Sequence, residues 1–147
     1  MQRHQLEDDV SLVPVFRALM QCHTVVSRVS NRHIEAMGLT SSQFDVLATL
    51  GDCEEMTCKE LGERTLITKG TLTPVLDLLE AKGLLIRKKD LEDARQTLIT
   101  LTPEGQRLYE EVFPRQVDFL KERIAGLPAT EQDQLVALLQ KLKTAFA

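Results

Sequence analysis

The sequence lacks the patterns on which most enzymes and exported proteins depend. Its seven glycines form no glycine-rich phosphate loop, no nucleophile elbow is present, and no pair of carboxylates stands out from ordinary surface charge. No apolar run has the length of a membrane span, and the first ten residues show no signal-peptide pattern. We therefore expect a cytoplasmic protein that is not an enzyme, needs no cofactor and has no membrane partner.

Histidine and cysteine are also scarce. The three histidines are scattered, and Cys53 and Cys58 lie five residues apart across an expected helix boundary. Cys22 and His23 are neighbours, so their side chains would point about 100° apart on a helix. Because this spacing offers no tight pair of ligands, we expect no metal site.

Positive charge is scarce overall but unevenly distributed. The formal net charge is -4, yet residues 59–107 contain nine Lys and Arg against eight Asp and Glu. The remainder contains nine basic residues against fourteen acidic ones. Positive charge is thus concentrated in one segment, and an acidic remainder would suppress indiscriminate phosphate binding.

That segment, residues 57–102, has the pattern of a helix-turn-helix followed by a β-hairpin. Apolar residues recur at helical intervals in two short stripes, interrupted around residues 64–67. The second helix is predicted from about Thr68 to Lys82, because the Thr68 hydroxyl can accept from first-turn amides and Gly83 can end the helix in a left-handed conformation. Pro74 inside it predicts a bend or a loosened first turn.

The outward face of this second helix begins with short or cationic side chains. In a helix-turn-helix, the N-terminal part of the second helix enters the major groove and reaches base edges and phosphates. A solvated helical hairpin is the alternative interpretation. The candidate contacts are Lys69, Thr71 and Thr73.

The hairpin strengthens the DNA-binding interpretation. Residues 84–89 and 96–101 have the composition of strands and flank a polar loop. Arg87, Lys88 and Lys89 lie on the first strand and Arg95 precedes the second, so the hairpin could follow the DNA backbone or insert Arg95 into a narrow minor groove. Asp93 is expected to accept a hydrogen bond from Arg95 and fix its guanidinium group.

At these residues the chain resembles a known family. Asp93, Arg95, Leu101 and Thr102 match the D-x-R-x5-L-T signature of the MarR (multiple antibiotic resistance regulator) family, and the order of segments agrees over almost the whole chain. The resemblance implies a homodimer of mainly α-helical subunits, each with a small β-hairpin wing. Such a dimer binds a pseudo-palindromic operator, usually represses, and releases DNA when a small ligand or an oxidant acts on it. The resemblance also implies that Arg95 lies in the minor groove and that four residues lie in the major groove: Thr68, Lys69, Thr71 and Thr73.

The flanking segments are predicted to be helical. A long helix runs from Val10 to Met37 and ends at Gly38, and a second, capped by Ser41 or Ser42, ends around Gly51. After Pro103 a helix continues to about residue 126, and a last helix starts near Thr130, where Asp133 would complete a capping box. Pro114 predicts a kink or a junction in the first of these.

The wide apolar faces of these helices suggest their purpose. We expect residues 1–38 and 103–147 to form a helical dimerisation region around a winged helix-turn-helix region at 39–102, because two-fold operators require two-fold proteins. An intramolecular helical layer is the alternative. A small-molecule effector would fit where the helices meet the winged helix-turn-helix region, near Met37, Phe44 and the wall around Cys22.

Two other functions stay open. Cys22 and the TLTP run at residues 71–74 are similar to the organic-hydroperoxide sensors of the same family, which suggests a redox role for Cys22. However, the only tyrosine is Tyr109, and a buried cysteine otherwise behaves as a small hydrophobe. A winged-helix module that binds protein instead of DNA is the other alternative, and it would tolerate Arg95→Ala.

Overall fold

Apolar spacing and turn residues place six helices and three short strands in residues 12–147, which are the residues that the computed structural model describes. The elements are α1 (Val13–Ala36), α2 (Ser41–Leu50), β1 (Met56–Thr57), α3 (Cys58–Arg64), α4 (Lys69–Ala81), β2 (Leu85–Lys89), β3 (Thr97–Leu101), α5 (Pro103–Ile124) and α6 (Ala129–Ala145). The predicted fold class, mainly α with a β-hairpin wing, is confirmed. The predicted start of the first helix at Val10 lies outside the described residues.

The strands form one antiparallel sheet in the order β1-β3-β2. Arg87 in β2 and Met56 in β1 both lie opposite Ile99 in the central strand. The hairpin of β2 and β3 was predicted from its strand composition, whereas β1 was not, since a strand of two residues has no recognisable period.

One hydrophobic cluster holds the helix-turn-helix against the wing. Leucines from α3 and α4 provide four of its nine buried members, and Leu85 and Ile99 add the inner face of the hairpin. These side chains lie at the spacing that the sequence pattern predicted, so the opposite face of α4 is left exposed. The buried members are Val46, Leu50, Met56, Leu61, Leu72, Leu76, Leu79, Leu85 and Ile99.

A second cluster lies between the end of α1, the helix α2 and the first part of α5. Its buried members are Ile34, Leu39, Leu47 and Val112. Leu101 packs against both clusters, so this residue of the family signature joins the wing to the helical layer.

Two predicted helix caps are wrong, and both helices begin slightly earlier than expected. Thr40 caps α2, because Gln43 lies three residues later and completes a reciprocal capping box: the Gln43 amide donates to Thr40 Oγ1 at 3.2 Å, and the Thr40 amide donates to Gln43 Oε1 at 3.1 Å. Pro128, with φ fixed at -58°, precedes α6, and Gln132 Nε2 donates to the Leu127 carbonyl at 2.8 Å. Ser41, Ser42 and Thr130 therefore have no capping role.

The predicted helix ends agree with the structure, and the two prolines inside helices differ in their outcome. Gly38 and Gly83 have φ values of +84° and +72°, as predicted for left-handed helix ends. Helix α4 is assigned as one unbroken helix through Pro74. The chain divides into two compact units between Phe113 and Pro114, which agrees with a junction at that proline.

The helices at the two ends of the described chain expose large apolar side chains. In α1 these include Val15, Met20 and Val26, and α6 has no buried residue along its 17 positions. Within residues 12–147, none of the helices combines the length and apolar composition that crossing a membrane would require.

Candidate nucleic-acid interface

The exposed face of α4 carries the predicted major-groove residues. Leu72, Leu76 and Leu79 turn into the core, which leaves Thr68, Lys69, Thr71 and Thr73 exposed at the start of the helix. The chain thus presents three hydroxyl groups and one ammonium group together. These are donor and acceptor groups that can contact phosphates and base edges.

Thr68 is the N-cap residue of α4, but its side chain does not make the hydrogen bond that the sequence predicted. Its hydroxyl makes no bond to a first-turn amide and instead donates to Thr71 Oγ1 at 3.1 Å. The backbone carbonyl of Thr68 accepts from the amides of Thr71 and Leu72 at 3.0 Å each. The first turn therefore closes through the backbone, and the two hydroxyl groups are held together on the exposed face.

The turn before α4 is tied to α2 by a residue that sequence reasoning missed. Asp45 Oδ2 accepts a hydrogen bond from the backbone amide of Leu66 at 2.9 Å. The sequence signal was only that Asp45 is the one charged residue of helix α2.

The wing holds Arg95 in an exposed position. The Asp90 amide donates to the Gln96 carbonyl at 3.0 Å and closes the loop. Within the loop, the backbone amide and Nε of Arg95 both donate to Asp93 Oδ1 at 3.1 Å, so the predicted hydrogen bond is confirmed. The Arg95 side chain is 92% exposed, so its remaining nitrogens are free to reach a ligand.

The basic residues of β2 are not equivalent. Lys89 is exposed, and Lys88 lies 3.4 Å from a Glu55 carboxylate oxygen in an exposed ion pair. Arg87 turns back to α4, where its Nη2 lies 2.6 Å from both Glu80 Oε2 and Asp77 Oδ1. Arg87 was grouped with the cations of the wing, but the structure engages it with the helix.

The electrostatics of this contact agree with its geometry. The hydrogen bonds from Arg87 hold the pKa of Glu80 below its usual value of 4.5. The same hydrogen bonds, with Glu80 first and Asp77 second, raise the pKa of Arg87. The wing is therefore braced against α4 by the carboxylates of Glu80 and Asp77, and the lowered pKa keeps Glu80 ionised at neutral pH.

Thr102, the last residue of the signature, has a structural role. Its hydroxyl donates to the Gly83 carbonyl at 2.5 Å and accepts from the Gly105 amide at 3.1 Å. Its own amide donates to the Leu84 carbonyl at 3.1 Å. Thr102 thus fastens the end of α4 to the start of α5, a role the sequence alone did not predict.

The redox and effector predictions fall on α1 and α2. Cys22 is exposed, so the interpretation of it as a buried hydrophobe is wrong. Cys53 and Cys58 are half-buried and pack against the core. Met37 and Phe44 are half-buried against the second cluster. Among residues 12–147, no three His, Cys, Asp or Glu side chains are grouped as metal ligands would be.

The sequence is similar to known transcriptional regulators. The statistical model of the MarR family matches residues 39–97. The uncharacterised helix-turn-helix regulator YkoM of Bacillus subtilis is 31% identical over 127 residues, which is 86% of this chain and 82% of YkoM. The organic hydroperoxide resistance transcriptional regulator of the same species is 38% identical over 97 residues, 66% of this chain and 58% of that protein.

Two solved structures share the fold at higher coverage. A MarR mutant from E. coli in complex with operator DNA has a TM-score of 0.77 and 28% identity, covering 90% of this chain and 95% of that one. Bordetella bronchiseptica BpsR, whose DNA binding is regulated by 6-hydroxynicotinic acid, has a TM-score of 0.78 and 30% identity, covering 88% and 92%.

Proposed function

The chain belongs to the MarR family of DNA-binding transcriptional regulators, and on that basis we propose that it is a homodimeric repressor. Each subunit would place Thr68, Lys69, Thr71 and Thr73 in the major groove. Arg95 would enter the adjacent minor groove, oriented by Asp93, and Lys88 and Lys89 would lie along the backbone. Members of the family are generally not enzymes, and we expect this one to act in the cytoplasm.

One observation carries the proposal: the hydroxyl and ammonium groups of α4 are exposed together while the same helix buries its leucines. These side chains lie at the N-terminal end of the second helix, which is the part that a helix-turn-helix inserts into the major groove. The 92% exposure of Arg95 adds a second cationic contact from another element. A groove-binding helix flanked by an arginine-bearing wing suits double-stranded DNA.

A dimer suits the exposed helices. Homodimers are typical of the family, and we propose that residues 1–38 and 103–147 supply the interface while 39–102 read the DNA. The exposed apolar side chains of α1 and α6 support this assignment. Two recognition helices related by a two-fold axis would lie about 34 Å apart, one turn of DNA.

We also propose that a small molecule releases the operator. BpsR offers the precedent, since its DNA binding is regulated by 6-hydroxynicotinic acid. The position expected from the sequence, near Met37 and Phe44, remains the site to test. The effector must bind the DNA-compatible and DNA-incompatible dimers with different affinities.

The first experiment selects bound sequences from a random duplex pool and titrates the winner at two salt concentrations. A pseudo-palindrome with half-sites about 10 base pairs apart and a steep salt dependence is expected. Absence of enrichment would instead favour a protein-binding winged helix.

The dimer is tested with Leu138→Lys, since Leu138 is 64% exposed in the single chain and its replacement costs little folding energy. We expect sedimentation to show a monomer that binds the full palindrome weakly. Leu91→Lys changes a leucine at the tip of the wing that is more exposed than Leu138, and it should leave the dimer intact.

A second candidate function is thiol-based peroxide sensing through Cys22. Its exposure leaves the sulfur accessible to an oxidant, and the organic hydroperoxide regulator is among the relatives. The test compares DNA release by an organic hydroperoxide in the wild type and in Cys22→Ser. Unchanged release in the variant rules out Cys22 as the sensor.

A further inference from the structure

The turn between α3 and α4 has few contacts of its own. The Leu66 side chain is 98% exposed, so it does not anchor the turn in the core. The Thr65 hydroxyl is buried and has no hydrogen-bond partner within residues 12–147. The Thr68 hydroxyl makes no hydrogen bond to a backbone amide in the first turn of α4. Backbone bonds and the packing of Ile67 against the core are what the turn itself supplies.

Asp45 provides the missing attachment. Its Oδ2 accepts from the Leu66 amide at 2.9 Å across 21 residues of sequence. Asp45 belongs to α2, whose neighbours Val46 and Leu47 are fully buried, so the carboxylate is fixed to a rigid helix. The hydrogen bond therefore attaches the backbone just before the predicted DNA-contacting residues to a helix that is packed in the core.

We propose that Asp45 is a positioning residue for DNA binding. By holding the Leu66 amide, it sets the entry of α4 so that Thr68 and Lys69 are already oriented before DNA arrives. Ordering a loop during binding lowers affinity, and a turn that is fixed in advance avoids that loss. This inference rests on the proposed function, because it concerns the same face of α4.

The hydrogen bond can be separated from the charge of Asp45. Asp45→Asn keeps an oxygen acceptor at the same place and removes the charge, whereas Asp45→Ala removes both. Thr49→Ala is the matched control: it removes a hydrogen bond one turn along α2, from Thr49 Oγ1 to the Asp45 carbonyl, that does not reach the turn. Each full-length variant is titrated with the selected operator at several salt concentrations.

We expect Asp45→Ala to weaken operator binding about tenfold. Asp45→Asn and Thr49→Ala should stay within about threefold of the wild type. The salt slope should be unchanged in all three variants, because no phosphate contact is lost, whereas loss of a phosphate-binding lysine lowers the slope by about one. Amide hydrogen exchange should accelerate at Leu66 in Asp45→Ala and stay slow at core amides such as Leu61.

Wild-type affinity in Asp45→Ala, equal losses in the Asn and Ala variants, or accelerated exchange throughout the core would each overturn the proposal. The exchange measurement needs no DNA. If the wild type bound no operator, the proposed function would fail, while unchanged Leu66 exchange in Asp45→Ala would separately refute the role of Asp45.

Discussion

Arg87 in the wing and Glu80 in helix α4 form a two-point contact, with Nε and Nη2 of the arginine 2.9 Å and 2.6 Å from the same carboxylate oxygen. Asp77 receives a second bond from Nη2 at 2.6 Å. The wing and helix α4, the proposed recognition helix, are thereby joined outside the hydrophobic core. DNA that engages both elements at once meets them at a fixed separation.

Glu80→Gln should weaken this brace in a pH-dependent way. Since the folded-state pKa of Glu80 is lowered, its contribution to stability is present above its usual value of 4.5 and is lost as the pH falls through the lowered value. We expect the wild type to unfold at a higher temperature than the variant at neutral pH, and the gap to close in acid. Glu92→Gln, which changes the net charge equally, should show no such gap in thermal unfolding curves.

Arg95→Ala should reduce affinity for every selected operator by about tenfold, because it removes a minor-groove cation without altering the major-groove face. The slope of log K against log salt should fall by about one. Lys82→Ala removes the same charge at the far end of α4 and should change both quantities far less. Binding isotherms for both variants across a salt series decide the matter, and unaltered binding in Arg95→Ala would favour a protein-binding module.

Gly51→Ala should destabilise the fold, since an added Cβ would overlap the Tyr109 ring. The backbone at Gly51 has φ -61° and ψ -31°, which alanine adopts readily, so the overlap is isolated from backbone strain. We expect a loss of about 1–3 kcal/mol in the free energy of unfolding. Gly70→Ala meets no atom within 4 Å and replaces a glycine inside a helix, so it should be neutral or slightly stabilising in the same denaturant titration.

The Tyr109 hydroxyl, which donates to Asp52 Oδ1 at 2.8 Å, should contribute to stability up to moderately alkaline pH. Burial first, and then the bond to Asp52, raise the pKa of Tyr109 from 10.0 to about 12. A raised pKa means that the contribution is complete below pH 10 and declines as the pH rises toward 12. Tyr109→Phe should be less stable than the wild type by about 1 kcal/mol at neutral pH. Denaturation monitored by circular dichroism should show this difference shrinking above pH 10.

Local patterns predicted the elements well, and contacts distant in sequence were the ones missed. The hairpin strands β2 and β3 and the helix ends at Gly38 and Gly83 follow from composition and apolar period, which act over a few residues. At α2, three adjacent hydroxyl residues compete as caps, and the position of Gln43 decides for Thr40. That pairing is itself a local pattern, T-S-S-Q, so the sequence alone could have selected Thr40 over Ser41.

The candidate site shows the same division. Asp93 and Arg95 are two residues apart, so their hydrogen bond could be predicted from the loop alone. Arg87 and Asp45 have partners 7 to 21 residues away, and which partner each reaches depends on how the helices and the hairpin pack. Arg87 was therefore misassigned to the wing surface, and Asp45 was overlooked.

The contact between Tyr109 and Asp52 also gives the protein an intrinsic fluorescence signal. The chain has one tyrosine and no tryptophan, so its ultraviolet emission comes from a single ring. A carboxylate that accepts the phenolic proton quenches that emission, and Asp52 is placed to do so. Any event that pulls the loop after α2 away from α5 should brighten the protein. Separation of these two elements can thus be followed without a label.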